Sequence, residues 1–532
     1  MSRTILSFLI ILSTIQLSIE HRSKTAFFIS IPFIGHMNPL LRQAIELYHR
    51  HTSEYNIYIV SCSNIKTHVE MYCLNTTIKF LDLGSCYNDT ELARNLEAIA
   101  SQTNILVGAM QMFGSAITDY YLHMYDQMLR VLQPEMFDHQ ETSIVITDRL
   151  TYAGASIADH FQIPYIVNVA GLLPYLGWHD ILPSDYNPWI LSNQPPSIHS
   201  LGINLLARTV FPILRYFLLI QMYFQFDRPF NYIRQERFDF NHSSHLWSYF
   251  NSHLFLVNNA FGLEYAQHIP PNVQFTGPML SMKLSFNDYI EQLSHEDRQW
   301  IESDTRPIIY VNFGTAIPLS KEQVKKLSLA LQSLSEYRVL WKVDHPDISQ
   351  TSSSTFRIVK WFSSSLGHLA HPDVQLFISH CGINSAYESV WLGTAILCIP
   401  RLADQLDMAQ RLEDAGVGKW LNQDKFTPEQ LKQTVELMFT SGEMVSRKRN
   451  IKRIQAIMKL HGGVERAVDL IEMTAEYGIK SFVPVNNSYP WYAYYNLDVY
   501  TIWLFTLILL KKLIHYLFFC NRRTAKSKEK TN

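Results

Sequence analysis

The segment Val374-Gln-Leu-Phe377-Ile-Ser379-His380-Cys381-Gly382-Ile383-Asn384-Ser385-Ala-Tyr-Glu388 joins two kinds of local structure with almost no spacer. Val374–Ser379 is apolar and rich in β-favouring residues, so it reads as a buried strand, and a helix opens around Asn384. A strand that feeds a helix N-terminus through a small-residue turn presents unpaired backbone N–H groups and the positive end of the helix dipole. That is a receptor for a diphosphate without a metal ion. With the helix starting near Gly382, Asn384 and Glu388 lie one turn apart on one face. Asn384 is then placed to donate to phosphate and Glu388 to accept from ribose hydroxyls.

One strand later, Asp404-Gln405 follows the run Ala395–Pro400 at the same edge of the sheet. An acceptor beside a donor suits a polyhydroxylated sugar. From pattern alone each residue also has an ordinary structural role: Asn384 as a helix cap, Glu388 on a solvated face, Asp404 as the cap of the next helix.

Working outward, the same rhythm fills the chain. Ala26–Phe33, Ile57–Ser61, Ile144–Thr147 and Tyr165–Val169 read as strands, with helices at Leu40–His49 and Tyr152–His160 and a helix-rich stretch over 91–132. After a variable middle, Pro270-Pro271 and Gly277-Pro278 open a linker, and the alternation restarts at Ile308–Asn312. Strands alternating with helices predict parallel sheets covered on both faces. We therefore expect an α/β protein of two facing, Rossmann-like, doubly wound domains, 21–275 and 301–476, joined by a linker over 276–300. Ligands of such sheets bind at the carboxyl ends of the strands.

The 532 residues are 47% hydrophobic and 17% charged, enough for full cores and against disorder. The net charge of −2 divides unevenly: 511–532 carries seven lysines and arginines against Glu529, so the tail is +6 and the rest −8. A mildly acidic body argues against nucleic acid as a partner. Six cysteines without a C-x-x-C pair exclude a zinc ribbon, and one bridge among Cys62, Cys73 and Cys86 stays open. No G-x-G-x-x-G after a strand, P-loop, H-E-x-x-H, G-x-S-x-G or D-x-D occurs. We expect no metal site and no tightly held cofactor.

Arg3 followed by the apolar run Ile5–Leu17 reads as a signal peptide over 1–20, cut between Ser18 and Ser23. At the other end an aromatic cluster precedes 497–519, which reads as one membrane helix, followed by a basic cytosolic tail, 520–532. Lys511-Lys512 interrupts the span, and either snorkels to the interface or marks a segment lying partly in it. The stretch Val210–Phe226, broken by Pro212 and Arg215, reads as a buried or membrane-apposed helix. The body is thus expected to be lumenal or extracellular, agreeing with sequons at Asn75, Asn88, Asn241 and Asn486, and Lys528-Glu-Lys530-Thr-Asn is similar to a retrieval signal for the endoplasmic reticulum. The sequence leaves self-association into a homo-oligomer open.

The run from Phe377 to Glu388, with Gly393, Pro400, Ala403-Asp404-Gln405 and Ala415-Gly416, resembles the donor-binding signature of the UDP-glycosyltransferases, with the spacing from His380 to Gln405 held. Phe275-Thr-Gly277-Pro278 and Val311-Asn-Phe-Gly314-Thr315 add to the match. With both ends included, the chain is most similar to the membrane-anchored animal branch that contains the UDP-glucuronosyltransferases. The resemblance implies a GT-B fold, with a UDP-sugar co-substrate in the C-terminal domain and a small lipophilic acceptor in the N-terminal one. It implies His380, Gly382, Asn384 and Ser385 at the diphosphate, Gly314 and Thr315 near it, Glu388 at the ribose, Asp404 and Gln405 at the sugar, and Trp361 beside the uracil. Two and three residues after that tryptophan the family has Pro-Gln, whereas Ser363 and Ser364 stand here, and the spacing to His371-Pro372 is one residue longer.

Gly35-His36-Met-Asn38-Pro39 follows the first strand, and Asp148 closes another, so both side chains fall where a cleft would open. They match the family's general base and its orienting aspartate. The reaction implied is an inverting, metal-independent transfer of a hexosyl or hexuronosyl group, with Tyr120, Tyr121, Phe211, Phe217 and Phe224 available either for an apolar acceptor pocket or for the core. A binding protein that keeps the fold but turns over weakly is the alternative, motivated by Ser363-Ser364; a 2-epimerase of the same fold is a third reading.

Overall fold

The computed structural model describes residues 24–87, 120–171, 253–484 and 490–528, apart from short internal gaps, together with isolated positions between 224 and 235. The signal peptide, Thr315, the sequons at Asn88, Asn241 and Asn486, and the stretch Val210–Phe226 apart from Phe224 lie outside the described residues.

Seven parallel strands form the first sheet: β1 (Lys24–Ile29), β2 (Tyr55–Ser61), β3 (Lys79–Asp82), β4 (Ser143–Asp148), β5 (Tyr165–Val169), β6 (Leu254–Val257) and β7 (Val273–Phe275). Their order is β3-β2-β1-β4-β5-β6-β7, so the chain reverses direction across the sheet between β1 and β4. The second sheet comprises β8 (Ile308–Asn312), β9 (Arg338–Lys342), β10 (Thr351–Ser352), β11 (Phe356–Val359), β12 (Val374–Ser379), β13 (Ala395–Cys398) and β14 (Gly418–Trp420). Its order, β10-β11-β9-β8-β12-β13-β14, reverses between β8 and β12, and β10 alone runs antiparallel. Both reversals are topological switch points, where crevices open at the strands' carboxyl ends. The expected pair of doubly wound sheets is thus present.

Burial explains why the strands read as unbroken apolar runs. In β4 every residue is buried, and in β12 only Gln375 is partly open, because helices cover both faces. One core lies beneath the first sheet around Phe27, Ile29, Val145 and Val167. The second sheet has a core on each face, one around Tyr310, Phe377 and Tyr387 and the other around Trp341, Ile378 and Leu397.

Five helices matter below: α1 (Ile34–Arg50), α2 (Ile383–Trp391), α3 (Gln405–Asp414), α4 (Gly463–Tyr477) and α5 (Leu497–Lys528). Helix α1 begins earlier than expected, so His36 lies within its first turn. Helix α4 follows the second sheet in sequence but packs on α1, where Arg50 Nη1 pairs with Asp469 at 2.7 Å and Glu472 at 3.3 Å, and Nη2 donates to the Glu465 carbonyl at 2.9 Å.

Cys62 is bridged to Cys86 and Cys73 is buried and free, which resolves the open pairing. A second bridge, Cys381–Cys398, joins the ends of β12 and β13 and was not foreseen. Helix α5 stands in a unit of its own, 481–532. Its segment Leu497–Phe519 is long and apolar enough to cross a membrane: 23 residues rise about 35 Å, against a core of about 30 Å. The helix continues unbroken through Lys511-Lys512.

Candidate active site

A cleft of about 1070 Å³ opens between the two sheets, and every described catalytic and donor-side residue named above lines it: His36, Asp148, Gly314, Trp361, His380, Gly382, Asn384, Ser385, Glu388, Asp404 and Gln405.

On one wall, α1 carries His36 and the end of β4 carries Asp148. Asp148 Oδ1 lies 2.9 Å from His36 Nδ1. The other carboxylate oxygen accepts from the Leu150 N–H at 2.9 Å and the Thr151 hydroxyl at 3.3 Å, so the carboxylate is held at both ends. Asp148 is 1% exposed and His36 is 28% exposed towards the cleft. With Nδ1 directed at the carboxylate, Nε2 is the nitrogen left to face a ligand. Burial depresses the imidazole pKa, but the charge and hydrogen bond of Asp148, aided by the charge of Asp404, outweigh it, and the pKa rises above 6.5.

The opposite wall is the β12–α2 turn. Cys381 takes a left-handed conformation there, φ 61°, and Gly382 caps α2. A Cβ on Gly382 would stand 2.7 Å from His380 Nε2, and one on Gly314, whose φ is +74°, would stand 2.9 Å from His380 Cε1. Two glycines therefore make the space in which His380 sits. Burial, followed by the nearby Arg401 guanidinium, holds His380 down to about 4, so the ring is neutral at physiological pH and has one N–H to give. Burial raises Asp404 to about 6, against the opposing effects of its own backbone N–H, His36 and the Ile383 N–H. Gln405 Oε1 accepts from the Arg401 N–H at 2.9 Å.

The walls also meet directly, in contacts that sequence reasoning missed. Asn384 is not the cap of α2; its Nδ2 donates to the Gly35 carbonyl at 2.7 Å. Glu388 is not on a solvated face: its Oε1 pairs with Arg42 Nη2 at 2.8 Å, both side chains being about 15% exposed, and Arg42 Nη1 donates to the Met279 carbonyl at 3.1 Å. Gly35 and Arg42 lie seven residues apart on α1, two turns along one face, which would have been the only hint in the sequence.

Trp361 is 54% exposed, and the Lys342 ammonium rests 3.5 Å from its ring centroid. Burial lowers the Lys342 pKa to about 8. Farther along, Ile31, Phe33, Tyr120, Leu150 and Val169 give the cleft an apolar end. Of the aromatic residues expected there, Tyr120 lines the cleft, Tyr121 is buried in the core, Phe224 is exposed, and Phe211 and Phe217 lie outside the described residues. Among the described residues, no three His, Cys, Asp or Glu side chains cluster as a metal site.

Residues 49–531 match the family described as UDP-glucoronosyl and UDP-glucosyl transferase, and the chain belongs to that family. It is 25% identical to human UDP-glucuronosyltransferase 1A3 over 382 residues, covering 70% of this chain and 67% of the human protein. A UDP-glycosyltransferase of Talaromyces amestolkiae is 31% identical over 231 residues, 38% of this chain and 42% of that one. Among solved structures, the glycotransferase of kitacinnamycin superposes with a TM-score of 0.59 at 14% identity, covering 85% of this chain and 100% of its own. LpCGTa in complex with UDP gives 0.54 at 17% identity, covering 85% and 99%. These likenesses carry the GT-B fold, and the family carries the activity: glycosyl transfer from a UDP-sugar.

Proposed function

We propose that the chain transfers a hexosyl or hexuronosyl group, with inversion and without a metal ion, from a UDP-sugar to a hydroxyl of a small lipophilic acceptor. The observation that carries this reading is the His36–Asp148 pair at 2.9 Å, facing a helix N-terminus and Asp404-Gln405 in one cleft.

In this reading His36 Nε2 takes the proton of the acceptor hydroxyl as its oxygen attacks the anomeric carbon. Asp148, fixed by Leu150 and Thr151, holds the tautomer with the proton on Nδ1 and stabilises the imidazolium. The bond from the anomeric carbon to the phosphate oxygen breaks, and UDP leaves with that electron pair. The charge on the leaving diphosphate is met by the N–H groups at the start of α2 and by the neutral His380 ring. Gly382, Asn384 and Ser385 serve the diphosphate, with Gly314 beside it, Glu388 the ribose, Asp404 and Gln405 the sugar hydroxyls, and Trp361 the base. The apolar end around Phe33, Tyr120 and Leu150 receives the acceptor. Helix α5 anchors a lumenal body in the membrane of the endoplasmic reticulum, and the exposed Asn75 is available there for glycosylation.

The test is UDP release by the detergent-solubilised protein with four UDP-sugars and a panel of phenols, steroids and lipids, with and without chelator. Acceptor-dependent release that survives chelator and drops about 10²–10⁴-fold in His36→Ala is expected. Full activity in that variant would remove the base assignment, and loss with chelator would remove the metal-independent route.

A further inference from the structure

The chain entering the second domain is fastened to the turn after Trp361 by a set of polar contacts. The Ser294 N–H donates to Ser363 Oγ at 2.9 Å, and that hydroxyl donates to Asp297 Oδ2 at 2.8 Å. Arg357 Nη2 holds the other Asp297 oxygen at 3.0 Å. Ser364 Oγ donates to Gln292 Oε1 at 3.2 Å. The two serines that depart from the family pattern are therefore the two that mount the segment 292–297 beside the tryptophan.

The Ser364 contact fixes more than position. Ser364 Oγ also accepts the Gly367 N–H at 3.0 Å, as the cap of the helix Ser365–Ala370. Its single hydrogen is then spent on Gln292, which orients the amide: Oε1 faces Ser364 and the Nε2 hydrogens are free to point elsewhere. Gln292 is exposed and lines the cleft with Lys342 and Trp361. No carboxylate pairs with Lys342 among the described residues. The wall around the tryptophan is thus rich in donors.

We propose that Gln292 reads the edge of the nucleobase laid against Trp361, and that its mounting on Ser364 selects a uracil-type base over cytosine, with Lys342 as a second donor. This deepens the donor reading above and rests on it. Uracil presents a carbonyl acceptor beside an N–H donor; cytosine presents an amino donor beside a ring-nitrogen acceptor. Gln292 offers Nε2 to the carbonyl and the second lone pair of Oε1 to the N–H. A freely rotating glutamine would serve either base by turning over, whereas one held by Ser364 matches uracil and opposes cytosine.

The experiment is calorimetric titration of the detergent-solubilised full-length protein with UDP and with CDP. The wild type should favour UDP. Gln292→Ala should weaken UDP binding by about threefold to tenfold and lower the UDP/CDP ratio. Gln292→Glu, which can only accept, should move the ratio further towards CDP. Ser364→Ala should lower the ratio although the amide remains. The exposed Gln299, outside the cleft, supplies the control: Gln299→Ala should keep the wild-type ratio. If the wild type binds UDP and both Gln292 variants keep its UDP/CDP ratio within about twofold, less than one hydrogen bond is worth, the role of Gln292 is overturned while the donor reading stands. If the wild type binds no uridine nucleotide, the donor reading falls and takes this one with it.

Discussion

The Gly35 carbonyl accepts the Asn384 amide across the cleft at 2.7 Å, and Pro39, four residues on, has no N–H to offer it. In an α-helix the N–H of residue 39 would bond to the carbonyl of residue 35, and proline has none. A ring inside α1 thus frees the group that α2 takes up. Restoring an N–H with Pro39→Ala should make Asn384 partly redundant. A thermodynamic cycle of Pro39→Ala and Asn384→Ala, read by urea unfolding, should show a coupling of about 0.5–1 kcal/mol. Strict additivity would mean that the proline and the cleft contact are unrelated.

The pH profile should follow the His36 environment. The base acts neutral, so kcat/KM should fall on the acid side as pH drops through a value above 6.5. Asp148→Asn removes the charge that raises this pKa and leaves the burial that lowers it, so the acid limb should move to lower pH even as kcat falls. Asp404, held at about 6, adds its own protonation to the same limb, and because each charge affects the other the profile reports the pair. An acid limb unmoved in Asp148→Asn would show that some other group titrates there.

Arg42→Met should leave the Glu388 carboxylate without its cation in a site only about 15% exposed. We expect a loss of about 1–3 kcal/mol in unfolding free energy and a higher KM for the UDP-sugar, because Glu388 is no longer held. Arg42→Met with Glu388→Gln should recover stability but not KM. Equal stability of the single and double variants would indicate that the pair contributes nothing.

The space kept by glycine around His380 gives a sharper test of the donor side. Gly382→Ala places a Cβ 2.7 Å from the imidazole and should displace it, lowering UDP affinity about tenfold, a shift of roughly 1.4 kcal/mol. Gly314→Ala should do the same and also lose about 1–2 kcal/mol of stability to its left-handed backbone. Calorimetry with UDP beside thermal unfolding separates the two effects, and wild-type affinity in both variants would remove His380 from the diphosphate.

The strand-turn-helix of 374–388 was legible because its signals are local: an apolar run, small residues, then helical composition. The His36–Asp148 pair was legible because both residues end up at carboxyl ends of neighbouring parallel strands, β1 and β4. What escaped the sequence lies in pairs far apart along the chain. Arg42 meets Glu388 across 346 positions, and nothing near either residue announces it. Gln292 lies inside what reads as a linker, and Ser363-Ser364 reads as a departure that motivates a weakly active alternative, whereas the structure gives both serines partners. The Cys381–Cys398 bridge escaped for a similar reason, since Cys381 lies in the turn after β12 and Cys398 ends β13, with α2 between them.

The strapping of α4 onto α1 by Arg50 has a consequence for building hybrids. The proposed placement of the acceptor invites exchange of the first half between relatives, with the crossover set in the linker. A hybrid cut there would take α1 from one parent and α4 from the other, and Arg50 would face foreign residues in place of Asp469 and Glu472. The unit of exchange that keeps the Arg50 contacts is therefore discontinuous. It comprises the first half together with the strip 463–477, and hybrids that carry both pieces should unfold at a higher temperature than single-crossover hybrids.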